Sequence, residues 1–150
     1  MSDRIRAGWP TVVLATVGLA ISIYLTVIHY RHELLACGLG GDCETVQSSK
    51  WAMIGPIPLA LLGVAMCAVV IVLAVVRMRL AAVAVPATAI IFALTLSGLM
   101  YEAYLTYLEL FVIDAICVWC VGFAVVLLLL VIAEGVQIWQ IVDGQMDLHE

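Results

Sequence analysis

Charge is what this sequence has least of. Six Lys and Arg and eleven Asp and Glu make up 11% of 150 residues, against a hydrophobic share of 66% and a mean hydropathy of +1.22. A soluble domain carries about 25% charged residues, so that class is excluded. The six cations stand singly or in pairs and form no basic patch, and no nucleic-acid partner is expected. Internal repeats, low-complexity tracts and any polar segment long enough to build a soluble domain are missing as well. The solvent this composition suits is a bilayer, and membrane lipid is the first partner it implies.

What is present is four uncharged runs: Pro10 to Tyr30, about Gly55 to Val76, about Leu80 to Tyr101, and Ala115 to Ala133. Each matches the roughly 20 residues of helix that cross a hydrocarbon core. In lipid each must satisfy its own backbone hydrogen bonds, which an α-helix does. The expected fold is an all-α membrane protein, one domain over residues 1–150, built as a four-transmembrane-helix bundle. Its spans are about 10–30, 55–76, 80–101 and 115–133, with a long external loop over about 31–54 and a tail over 134–150. The first run is not read as a signal peptide. It is too long for one, and "RHE" (Arg31, His32, Glu33) separates it from the cleavage-like "LLAC".

Orientation follows from the cations. Arg4 and Arg6 precede the first span and Arg77 and Arg79 form the turn "RMR" between the second and third, while only Arg31 and Lys50 lie between the first and second. The positive-inside bias puts both termini in the cytoplasm. Four of the five cysteines then share the outer, oxidising side. Cys37 and Cys43 lie in the external loop, and Cys117 and Cys120 open the fourth span. Three glycines within "CGLGGDC" let the loop pair approach disulfide distance. In "CVWC" the two thiols stand one turn apart on one helical face, where unpaired N–H groups of the first turn favour a thiolate. These four residues suit a relay in which a mobile pair exchanges with a pair embedded at the membrane edge. They also suit two structural disulfides, or a thiolate-based metal-binding or metal-transport membrane protein. The loop pair, however, lacks the usual ligand spacing of a four-thiolate site. Cys67, among "VAMCAVV", reads as a small buried hydrophobe.

The ordered combination of the loop pair, "ETVQSSKWA", "GPIPLALLG", "YLTYLEL" and a CxxC opening the last helix resembles the vitamin K epoxide reductase family in its bacterial form, over nearly the whole chain. The resemblance implies a quinone-dependent disulfide oxidoreductase of the bacterial cytoplasmic (inner) membrane with its active site on the extracytoplasmic side. It implies that Cys117 and Cys120 are the active-site pair, with Cys120 facing the quinone. Cys43 would exchange with Cys117, Cys37 would meet a soluble redox protein, and Ser49 would lie near the reaction centre. The cofactors implied are a quinone, menaquinone or ubiquinone, and the redox-active disulfides themselves. Trp119, Phe123 and Ile57 are expected to wall the quinone ring. The chain shows no fused thioredoxin-like domain, so the expected partner is a separate DsbA-like thioredoxin-fold protein. Animal members carry a tyrosine where this chain has Ala124, which argues against assuming vitamin K epoxide chemistry. DsbB-type enzymes share the outline but place the CxxC pair first. Glu102, Glu109 and Asp114 are read as charges near the outer interface, and the segment from Asp42 to Lys50 as a short helix whose Val46 and Trp51 touch lipid or cap the quinone pocket.

Overall fold

The computed structural model describes residues 2–31 and 43–146. Cys37 and the rest of residues 32–42 lie outside the described residues. In chain order the elements are helix α1 (Ser2–Arg31), short helix α2 (Cys43–Ser48), strands β1 (Met53–Ile54) and β2 (Ile57–Pro58), and helices α3 (Leu59–Arg79), α4 (Ala84–Leu108) and α5 (Val118–Met146). Among the described residues four helices are long and apolar enough to cross a membrane. The four-helix expectation therefore holds for the spans.

Helix α2 falls within the short helix expected over Asp42 to Lys50. Residues 43–58 are folded: α2 is followed by a single 3-10 turn over Lys50–Ala52 and then by the antiparallel pair β1–β2. The hairpin turn is Gly55–Pro56. Gly55 takes a φ of 62°, and Pro56 supplies a negative φ at the next position, a combination suited to the two-residue turns that match strand twist.

Helix α4 continues past Tyr101, through Glu102 and on to Leu108, then widens into a π-helical turn over Glu109–Ile113. It ends at Asp114, whose left-handed φ of 55° lets its N–H reach back to the Glu109 carbonyl. Aspartate tolerates that conformation better than most residues. Pro86 sits in the first turn of α4, where no helical partner awaits its missing N–H.

Lipid tails are as apolar as leucine, so small side chains and close packing hold such a bundle together. α1 packs most extensively on α3. At Gly18 an added Cβ would stand 3.1 Å from Cys67 Sγ and 3.3 Å from Val126 Cγ1; at Gly63 it would stand 2.7 Å from Ser22 Oγ. One apolar cluster joins Cys67, Phe123, Val126, Leu127 and Leu130, and a second joins Ala15, Val70, Ala74 and Ile91. Val13, Val17, Val72 and Ile132 point outward, toward lipid.

At the end of the bundle away from α2 the four long helices meet in one polar cluster. Arg77 of α3 forms a two-pronged ion pair with Glu134 of α5, and its second nitrogen lies 2.8 Å from both Glu134 Oε1 and Thr11 Oγ1 of α1. Thr11 donates to Glu134 Oε1 at 2.5 Å, and Arg77 Nη1 donates to Thr88 Oγ1 of α4 at 3.1 Å. Arg77 is 4% exposed and Glu134 is fully buried. Arg77 is thus not the surface cation that the "RMR" turn suggests: the end of a span lets a long side chain turn inward when a carboxylate of the neighbouring helix stands at the same depth.

Candidate active site

Cys117 immediately precedes α5 and serves as its cap. Its carbonyl accepts the Val121 N–H at 3.0 Å, and its Sγ accepts the Cys120 N–H at 3.3 Å, the position a serine oxygen takes at a helix start. The Cys120 thiol points at the same sulfur. That hydrogen bond, aided by the N–H of Cys120, holds the Cys117 thiol below its ordinary range, although burial and the Glu109 carboxylate push it up. Glu109 lies directly beneath the pair. Its Oε2 accepts the Cys117 N–H at 3.2 Å, and it is 3% exposed.

Cys43, the first residue of α2, stands in the same packed cluster as Cys117. Cys43, Val46, Ala115 and Cys117 are its buried members, and Ile113, Trp119 and Cys120 pack against them. Cys43 is disulfide-bonded; Cys37, expected to pair with Cys43, lies outside the described residues.

Beside the cysteines is a cavity with walls drawn from all five helices. Cys120 and Phe123 face it from α5, Ser22 and Leu25 from α1, Val46 from α2, and Glu102 from α4. Ser49 and Trp51 close one side, with the Ser49 hydroxyl donating to the Val46 carbonyl at 2.7 Å. Val46 and Trp51 therefore face the cavity, which is the capping role considered from sequence.

Residues 9–134 match the model of the Vitamin K epoxide reductase family. The chain belongs to this family. No protein of curated function matches it. Family membership together with the four spans makes it a multi-pass membrane oxidoreductase of the thiol–disulfide kind.

The structure brings together Cys43, Cys117, Cys120, Ser49 and Phe123 of the residues singled out from sequence. Trp119 and Ile57 are not on the cavity wall. Trp119 packs instead on Tyr24, ring centroids 4.8 Å apart, and Ile57 lies exposed on the hairpin. Glu109 and Glu102, read from sequence only as charges near the outer interface, both face the cavity. The signal that could have found them is their seven-residue spacing in "YEAYLTYLEL", which puts both on one helical face. Asp114 is exposed, as expected.

Proposed function

We propose that this protein oxidises a dithiol partner outside the cytoplasmic membrane and passes the electrons through two cysteine pairs to a membrane quinone. The observation that carries the reading is the single cluster holding Cys43, Cys117 and Cys120 beside a cavity.

A reduced thioredoxin-fold partner attacks the loop disulfide at Cys37. The freed Cys43 thiolate attacks Cys117 Sγ, breaking the Cys117–Cys120 bond and releasing Cys120 as a thiolate. The partner's second thiol breaks its mixed disulfide with Cys37, which leaves the partner oxidised and frees the Cys37 thiolate. Cys37 then attacks Cys43, which restores the loop disulfide and leaves Cys117 and Cys120 both reduced. Cys117 is suited to be the sulfur exchanged, because the donors of Cys120 stabilise it as a thiolate leaving group.

The lining of the cavity suits a quinone. Its walls at Leu25, Leu105, Leu108 and Phe123 are apolar, Cys120 faces it, and a buried Glu102 oxygen has no hydrogen-bond partner among the described residues. When bound, the quinone supplies an acceptor for two electrons and two protons. Leu25 and Phe123 would hold the ring, Ser49 and Trp51 would shield it from water, and Cys120 would present its sulfur. The cysteine end faces the extracytoplasmic side in this reading. The cation bias supports it through Arg4, Arg6 and Arg79 at the opposite end against Arg31 and Lys50, with Arg77 set aside because it is ion-paired within the bundle.

The test is a Cys37→Ala, Cys120→Ala double variant, which removes both thiols that would resolve the exchange. Oxidation should give a Cys43–Cys117 disulfide, seen by peptide mapping under non-reducing conditions. Cys43 and Cys117 remaining as free thiols would overturn the electron route.

A further inference from the structure

Two carboxyl groups on the cavity wall have no part in the exchange between cysteines. Glu102 and Glu109 stand seven residues apart, about two helical turns, and so face the same side of α4 and its wider final turn. Both line the cavity together with Cys120, and no described Lys or Arg does. Glu109 is in contact with both active-site cysteines: it accepts the Cys117 N–H at 3.2 Å and hydrogen-bonds with the Cys120 side chain. Glu102 is held differently. Its Oε2 is buried without a hydrogen-bond partner among the described residues, where the cavity meets a more open groove between α3 and α4. A polar atom withdrawn from water and left unpaired is costly, and ionisable groups within membrane spans mark proton or ion paths.

We propose that Glu109 and Glu102 form a two-carboxyl proton route between the Cys117–Cys120 pair and a quinone bound in the cavity; the inference rests on the quinone reading above. As the Cys117–Cys120 bond forms, the pair gives up two electrons, and the quinone takes these and two protons to become the quinol. Cys120 loses its S–H proton to Glu109, which hands it to one ring oxygen. Glu102 gives its carboxyl proton to the other. When the pair is next reduced, the partner's dithiol releases two protons: one returns Cys120 to its thiol form, and the other, not taken up by the Cys117 thiolate, refills Glu102 through Glu109. Over a full cycle the two protons of the partner's thiols arrive on the quinol.

The full chain in lipid nanodiscs, reduced and mixed with a short-chain ubiquinone or menaquinone, tests this. In the wild type, infrared difference spectra across the turnover should show a carboxyl C=O band that disappears in Glu102→Gln. In rapid mixing, Glu102→Gln and Glu109→Gln should slow quinone reduction about a hundredfold or more. Glu102→Asp should recover part of the rate. Quinone reduction by Glu102→Gln at the wild-type rate would overturn the route alone. A wild type that reduces neither quinone would overturn the quinone reading and the route together. If Glu102→Gln does not fold, the wild-type infrared spectrum decides, and absence of any carboxyl band sinks the proposal.

Discussion

Cys117 takes two hydrogen bonds on one sulfur, from the backbone and the thiol of Cys120. Because the thiol contributes most to holding Cys117 below the ordinary range, Cys120→Ala should raise the pH at which the Cys117 thiolate forms. Cys120→Ser keeps a donor and should raise it less. Ultraviolet thiolate absorbance followed through a pH titration of the two variants checks the order. At this scale the sulfurs were legible in the sequence, since a three-residue spacing at a helix start puts them together in any fold. Glu109 was not. A carboxylate just beyond an apolar run looks like an interfacial charge, and only the π-helical turn of Glu109–Ile113 and the return of the chain to Cys117 put it under the pair.

Among the elements, α2 brings the loop cysteine to the membrane pair. Val46 packs in the cluster with Cys43 and Cys117, and burying an unpaired charge there is unfavourable. Val46→Asp, made in the Cys37→Ala, Cys120→Ala background, should slow formation of the Cys43–Cys117 disulfide about tenfold or more, as α2 lifts away. Timed acid quenching and gel mobility give the rate. The α1–α3 contact supplies a second case. A side chain at Gly63 would stand 2.7 Å from Ser22 Oγ and 3.4 Å from Phe123 Cζ. Gly63→Val should force the helices apart at a cost of about 1–3 kcal/mol, seen as a lower unfolding temperature in detergent, and should also narrow the cavity. The long helices could be read from their uncharged length. The hairpin could be read less well, although "GPIP" carries its turn chemistry. The course of α4 past Glu102 could not, because a charge normally ends an apolar span and is admitted here only by facing inward.

The molecule as a whole is tied at one end by Arg77, Glu134, Thr11 and Thr88, one residue from each long helix. Removing one partner of a buried ion pair strands the other charge, so Glu134→Ala should destabilise the bundle by about 3–5 kcal/mol. Replacing both, as Arg77→Met with Glu134→Leu, should recover most of that loss. Thermal unfolding of the three proteins in one detergent measures it. Nothing in the span count pointed to this cluster: Arg77 and Glu134 each close an uncharged run, and their meeting is a property of how α3 and α5 lie against each other.

The number of crossings, their approximate positions and the chemistry of the thiols were determined by the sequence alone. Those follow from the length of the apolar runs and from spacing along one helix, both local quantities. Which side of each helix faces its neighbours was decided only in the tertiary structure. A soluble helix shows its core face as an apolar stripe against polar residues, but these helices are apolar all round because lipid and protein interior ask for the same side chains. The cavity, the two carboxyls on its wall and the buried Arg77–Glu134 pair are products of that packing.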